Sequence, residues 1–399
     1  MSSLFIYAAL GCSASAQVFT NQYIGTPPLG LRGALPSSEG SEFALTEAVK
    51  GGFSYGLGLT SIYDSNFNLS EHDPESELTT NILPWISYAS DPGGSAPFSF
   101  SASYQPNIRA YVNNPSLNGA DHSGGVNLKI QGAKTLIAAY MNYNTVSGTD
   151  RYSGTFVNGS LMEAGIRGTY QIAPRTSLFA SLKLAMSDYD SSTLAGSDIY
   201  TAEVGGFWSA TERLSFGPSI SYVKEKSANT GERDAWTLNM QARYLMGDKF
   251  QFLGTLGLEY ATNSRDAGSS TLGLTGRFAA NYAISEKLQW ESAVSYGTVP
   301  SSTDENYVMN NLTFTTALNR QLLRATVSVG LELNISDYEK VGTTGTKLDN
   351  EDNLSAFVAY HRKLFSERLD FNSSLRYSMN NGNRDWSQFQ VSVGISYQF

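Results

Sequence analysis

From Gly51 to Phe399 the chain alternates apolar and polar residues in segments of ten or more, with turn-forming residues between them. One segment reads Leu272, Leu274, Gly276, Phe278, Ala280, Tyr282, Ile284, with Gly273, Thr275, Arg277, Ala279, Asn281 and Ala283 interleaved. The last reads Phe389, Val391, Val393, Ile395, Tyr397, Phe399 against Gln390, Ser392, Gly394, Ser396 and Gln398. Successive side chains of a strand point to opposite faces, so each segment has one greasy and one polar face. The pattern predicts eighteen strands, with sixteen as the fallback, among them 51–63, 122–131, 135–146, 160–172, 235–247, 322–335 and 387–399. In the fifth, Leu136/Ala138/Tyr140 and Ile137/Ala139/Met141/Tyr143 both qualify as the apolar face. Pro84, Pro106 and Pro218 fall inside strands, where each removes a ladder donor.

The connections alternate long and short along the whole chain. Long ones include 64–77, 113–121, 147–159, 225–234 and 336–352; short ones include Gly132-Ala133-Lys134, Ala173-Pro174-Arg175 and Ser285-Glu286-Lys287. This predicts an all-β fold, a closed antiparallel transmembrane barrel with short periplasmic turns and longer outside loops. An even strand count entered from a periplasmic segment puts both termini in the periplasm. Composition supports a barrel. Charged residues are 16% of the chain, against roughly 25% in soluble domains. Aromatics reach 12%, and no apolar run approaches the length of about 18 residues that a spanning helix needs. A soluble all-β protein accounts for the composition but not for the strict alternation of connections.

Before the barrel, residues 1–16 read as a signal peptide: the apolar run Leu4 to Leu10, then an A-x-A-type site before Gln17, without a basic start. Residues 17–50 read as a periplasmic N-terminal segment, and 51–399 as the barrel. Ala9-Leu10-Gly11-Cys12 is a faint lipobox. Cys12 is the only cysteine, so no disulfide framework supports the mature chain.

Parity assigned from the apolar residues alone places Arg109, Lys129, Glu163, Arg167, Lys183, Glu203, Arg243, Glu259, Arg277, Glu291, Arg324, Glu332 and Arg376 on the polar face, as pore-lining residues. On the lipid face at mid-membrane such a charge costs about 2–4 kcal/mol. Arg167, Lys183, Arg243, Arg277 and Arg376 are expected to project into lumen water, with Glu203 and Glu259 near enough to pair with some of them. Lys224, Arg320 and Arg362 have lipid-face parity but stand at strand ends, where long chains snorkel. Trp208, Phe216, Tyr282, Trp290, Tyr360 and Tyr397 near one rim, and Tyr222, Trp236, Tyr260, Tyr296 and Tyr377 near the other, form two interfacial girdles. Otherwise the polar face is Ser, Thr, Asn, Gln and Gly, and no apolar tunnel of the kind a lipid transporter needs is evident. The outside loops are acidic: 64–77 carries Asp64, Glu71, Asp73, Glu75 and Glu77 without a basic residue.

No catalytic constellation is present. His72, His122 and His361 are the only histidines, and none stands in a motif with a nucleophile and an acid. The chain is read as a non-enzyme without cofactor or metal, and without a nucleic-acid partner. Asp64-Ser65-Asn66 and Asp349-Asn350-Glu351-Asp352 have Ca²⁺-type side chains, but solvated loop charge is the simpler reading.

The run Phe389 to Phe399 resembles the terminal signature of bacterial outer-membrane proteins, which end in an aromatic after alternating apolar positions. The resemblance implies that Tyr397 and Phe399 form an assembly signal read by the barrel-assembly machinery. The units NYAISEKLQW, WSATERLSF and LFSERLDF are similar to strand–turn–strand units of porin-like barrels, over most of residues 200–399. That likeness implies the bacterial outer membrane, with its lipid and lipopolysaccharide, and leaves a homo-oligomer open. Two functions fit: a porin-like channel for passive passage of small hydrophilic solutes or ions, or the barrel of a secretion, polysaccharide-export or surface-anchoring system.

Overall fold

The computed structural model describes residues 52–90, 96–150, 154–191, 194–227, 231–247, 249–264, 270–300, 307–340, 350–364 and 368–399. The segments expected over 1–16 and 17–50 lie outside the described residues. Eighteen strands follow one another: β1 Gly52–Asp64, β2 Glu77–Ala89, β3 Phe98–Tyr111, β4 Gly119–Gln131, β5 Thr135–Thr149, β6 Phe156–Ala173, β7 Thr176–Asp190, β8 Ser197–Ser209, β9 Leu214–Ser227, β10 Gly231–Met246, β11 Phe250–Asn263, β12 Ser270–Ser285, β13 Leu288–Pro300, β14 Tyr307–Gln321, β15 Ala325–Lys340, β16 Glu351–Leu364, β17 Leu369–Asn381 and β18 Trp386–Gln398. A 3₁₀ turn, Pro115–Leu117, lies in the connection from β3 to β4.

Every strand pairs antiparallel with its sequence neighbours, and β18 pairs with β1 from Gly56↔Gln398 to Asp64↔Gln390. Closure leaves no edge, which is what lets a sheet cross lipid without unpaired backbone groups. Followed once around, the registers return to β1 displaced by about 22 residues. With ordinary strand spacings that shear tilts the strands by about 40° and gives a backbone radius of about 18 Å.

The two faces separate as the alternation requires. On β1, Phe53, Tyr55, Leu57 and Leu59 are exposed while Ser54, Gly56, Gly58 and Thr60 are buried. All eighteen strands contribute exposed large apolar residues to the outward face, forming an apolar belt. Aromatic pairs mark its margins. Trp208 and Phe216 lie 5.3 Å apart and Tyr55 and Phe399 5.4 Å apart at the rim of short turns; Tyr222 and Trp236 lie 4.8 Å apart at the rim of long loops.

Four departures from the sequence reading have physical causes. Strands run further toward the loop rim than expected: β4 starts at Gly119, β6 at Phe156, β10 at Gly231, and β15 continues to Lys340. Beyond the apolar belt both faces meet water, so the apolar signal fades while the ladder continues. At the other rim, β15 starts at Ala325, not Leu322. The Leu322 N–H donates to the Ala325 carbonyl at 2.7 Å, so Leu322, Leu323 and Arg324 form an exposed turn, and two adjacent leucines mimicked a strand start. In β5 the ambiguity resolves through Ala138↔Arg167 and Ala139↔Ile166: Ile137, Ala139, Met141 and Tyr143 face outward, and Leu136, Ala138 and Tyr140 inward. Finally, the β2–β3 ladder lapses between Ile82↔Ile108 and Ile86↔Tyr104. Pro84 and Pro106 stand opposite each other in that gap, and neither has an N–H to give the other's carbonyl.

Candidate functional site: the lumen

The interior wall carries the chemistry. Register and burial place Arg109, Lys129, Glu163, Arg167, Lys183, Glu203, Arg243, Glu259, Arg277, Glu291, Glu332 and Arg376 on the inward face. Arg324 is the exception, lying in its turn. Several of these charges are tied to one another. The Lys183 ammonium is 3.6 Å from Glu163, Arg376 is 2.5 Å from Glu332, and Arg109 is 3.2 Å from Asp121. Arg109 also donates to the Tyr111 hydroxyl at 3.1 Å and the Ser147 carbonyl at 3.3 Å. The Arg167 guanidinium lies 3.9 Å from the Phe179 ring centroid, a cation–π contact.

Glu203 and Glu259 have partners outside the expected set. Glu203 accepts from the Gln241 amide at 2.8 Å, and Gln241 reaches Ser219 at the same distance. Glu259 pairs with Arg233, which also lies 3.2 Å from Glu225. Glu225, Arg233 and Glu259 are 2%, 5% and 9% exposed. Of this Glu–Arg–Glu triad, Glu225 and Arg233 fall in the connection expected at 225–234, whereas Glu259 lies on an expected strand. The triad's signal was present: the alternation Arg233, Ala235, Thr237 continues the inward parity of β10 without a break.

The opposite wall carries fewer charges, chiefly the paired Arg376 and Glu332 and the buried Glu351. On β14 to β17, Asn311 donates to Thr313 at 3.1 Å, Thr313 to Asn334 at 2.9 Å, and Ser336 back to Asn311 at 3.0 Å. The Ser355 and Ser378 hydroxyls are 2.9 Å apart. The lumen therefore has a more charged side, mainly β4 to β12, and a side on β14 to β17 where hydroxyls and amides outnumber the charges.

Two features were not foreseen. An apolar strip crosses the inner wall near the loop rim, formed by Ala185, Ile199, Val223, Ala235 and Ala261 with Met309 and Tyr338 packed on it. The lumen is thus not uniformly polar. The connection 65–76 also folds across the mouth. Phe67 lies 5.4 Å from the Tyr111 ring and 6.0 Å from that of Phe156. From the β18 side, Arg384 donates to the Leu69 carbonyl at 2.8 Å, and Leu69 is 1% exposed.

The acids that bound this connection are not solvated loop charge. Asp64 accepts from the Asn66 N–H at 2.9 Å and from the Gln388 and Gln390 amides at 2.8 and 2.9 Å. Glu77 accepts from the N–H groups of Leu78, Val112 and Asn113 and from the Asn114 amide. Both carboxylates are buried and brace the rim. Among the described residues no group of three or more His, Cys, Asp and Glu is arranged to hold a metal. His361 sits 3.0 Å from Asp370 at the turn rim, and His122, with outward parity, 2.8 Å from the Tyr104 hydroxyl. Lys224, beyond the Tyr222–Trp236 pair, bonds Glu232 at 2.8 Å in water.

A closed eighteen-stranded barrel with an apolar belt, aromatic margins and a polar interior is a transmembrane β-barrel of the bacterial outer membrane. No protein-family model matches the chain, and no curated protein matches it. Solved structures similar to it include the outer membrane protein OpdK from Pseudomonas aeruginosa (TM-score 0.47, 10% identity, 87% of this chain and 99% of that one). The FrpB iron transporter from Neisseria meningitidis is similar at a TM-score of 0.46 (10% identity, 90% and 82% covered). The siderophore receptor PirA from Pseudomonas aeruginosa is similar at 0.43 (8% identity, 89% and 81% covered). At this identity and superposition they say nothing about what this chain carries.

Proposed function

We propose that the protein is a porin-like channel for passive passage of small hydrophilic solutes or ions, with the turn rim and both termini in the periplasm and the loop rim outside. The observation that carries this is the inward face: Ser, Thr, Asn, Gln, Gly and charges recur on every strand of a barrel of this width. Barrels of 16–18 strands leave an aqueous channel that side chains alone do not fill. The more and the less charged walls face each other across it, and the connection 65–76 narrows its outer mouth. The pore-lining role belongs to the twelve inward charges together with Glu225 and Arg233.

Purified full-length protein in planar bilayers tests the reading. Stable single-channel conductance in potassium chloride is the expected result. Folded barrel that inserts and passes no current would reject it.

A further inference from the structure

The wall from β2 to β5 holds polar groups that the protein itself leaves unsatisfied. Asn81 is 1% exposed and Asn142 is 3% exposed. Both polar side-chain atoms of each, and Oδ1 of Asn107, are buried without a hydrogen-bond partner. Native proteins rarely tolerate this, and an orphaned buried amide points to a bound group that completes it. All three face the lumen, through Thr60↔Asn81, Asn107↔Asp121 and Gly125↔Asn142. The lapsed ladder at Pro84 and Pro106 runs between Asn81 and Asn107, so backbone carbonyls there also lack donors.

An aromatic surface adjoins them. Trp85 pairs with Gly56 and therefore points inward. Its indole rests on that glycine, where an added Cβ would come within 2.6 Å of Cε2 and Nε1. The glycine is what lets the ring lie against the wall.

We propose that this wall binds a neutral, polyhydroxylated solute of the short-oligosaccharide class. Each asparagine amide offers two donors and an acceptor, matched to hydroxyls that both give and take a proton. The Trp85 face suits the apolar C–H face of a sugar ring. An anion or cation would need a net charge here, and the bordering Arg109 and Asp121 neutralise each other. An apolar ligand would leave the amides as they are. Asn81 and Asn142 are separated by three strand spacings across the sheet and by six residues along it, about 24 Å in all, with Asn107 and Trp85 between them, which suits a chain of several linked rings and not one. The inference rests on the channel reading for its route of access, but binding is measurable without flow.

The test uses the full chain refolded in detergent and titrated with maltohexaose and with cellohexaose, followed by calorimetry and tryptophan fluorescence. Saturable binding of at least one is expected. Asn81→Ala with Asn142→Ala should weaken it at least ten-fold, and Trp85→Phe should abolish the fluorescence response. If the alanine pair fails to migrate as folded barrel, Asn81→Ser and Asn142→Ser are measured singly, with weaker binding expected from each. No saturable binding of either sugar by wild type, or unchanged affinity in folded variants, overturns the inference and leaves water as the partner of these amides. Bilayer current separates the two proposals. Conductance without sugar binding sinks only this site; sugar binding without conductance sinks only the channel.

Discussion

Arg233→Ala should be among the most damaging single substitutions in the barrel. The guanidinium is 5% exposed and lies between two carboxylates, Glu225 at 2% and Glu259 at 9%. Its removal does more than delete two ion pairs. It leaves two buried negative charges facing each other on the inner wall, with no cation between them. Breaking a buried pair by removing one partner costs about 3–5 kcal/mol, and most of that is the stranded charge. The same principle predicts a rescue. Arg233→Met with Glu225→Gln and Glu259→Gln removes every charge and keeps the volume, and should return to within about 1 kcal/mol of wild type. The assay is equilibrium urea unfolding of the refolded barrel, with tryptophan fluorescence as the signal and an unchanged m-value as the check on cooperativity. A loss below about 1 kcal/mol for Arg233→Ala, or a triple variant as weak as the single, would refute the argument that the triad is a desolvated charge cluster.

Three further outcomes are expected. Arg243→Ala should move the reversal potential in a salt gradient toward cations, and Arg277→Ala should do the same. The Arg376→Ala/Glu332→Ala pair, bonded at 2.5 Å, should leave it nearly unchanged because the two charges cancel; an equal shift in all three would mean the pairing is irrelevant to the pore. Deleting Phe399 removes its N–H bond to the Tyr55 carbonyl at 3.0 Å and its ring contact with Tyr55, and should lower the heat-modifiable, membrane-inserted fraction; equal insertion would argue against a terminal assembly signal. Arg384→Ala releases the Leu69 carbonyl and should raise current noise or mean conductance by loosening the 65–76 connection, whereas an identical trace would show that this connection does not narrow the mouth.

The barrel was legible because its main constraint is local. Period-two alternation fixes which face each residue takes, and a charge at mid-strand has one affordable side. Hence the strand number and the inward placement of residues such as Arg243 and Arg277 follow from sequence alone. What escaped was non-local or fell where the lipid no longer sorts the residues. Arg384 and Leu69 are 315 positions apart. Glu259 finds Arg233 only once β10 is known to start at Gly231. Pro84 and Pro106 each look like a single missing donor, and only the register shows that the two gaps coincide. Arg324 was misplaced because two exposed leucines carry the same signal as a strand.

The interior polar groups divide by how fully the protein satisfies them, and that division separates construction from use. Asp64 and Glu77 take every bond from backbone and amide donors at the rim, so their charges hold connections in place and are poorly available to a solute. The Arg376–Glu332 pair cancels its own charge, and in the Glu225–Arg233–Glu259 triad the cation offsets one of two carboxylates and holds both in place. Ion selectivity should therefore rest on the basic residues least compensated by a carboxylate, with Arg243 the clearest: among the described residues it makes no ion pair, whereas Arg109, Lys183, Arg233 and Arg376 each do. Solute recognition should rest on the amides left open at the lapsed ladder. A channel whose charges were all paired and whose amides were all bonded would be a wide, stable and unselective tube. The open amides of the β2 to β5 wall and the uncompensated Arg243 lie on strands that the rest of the barrel holds in register.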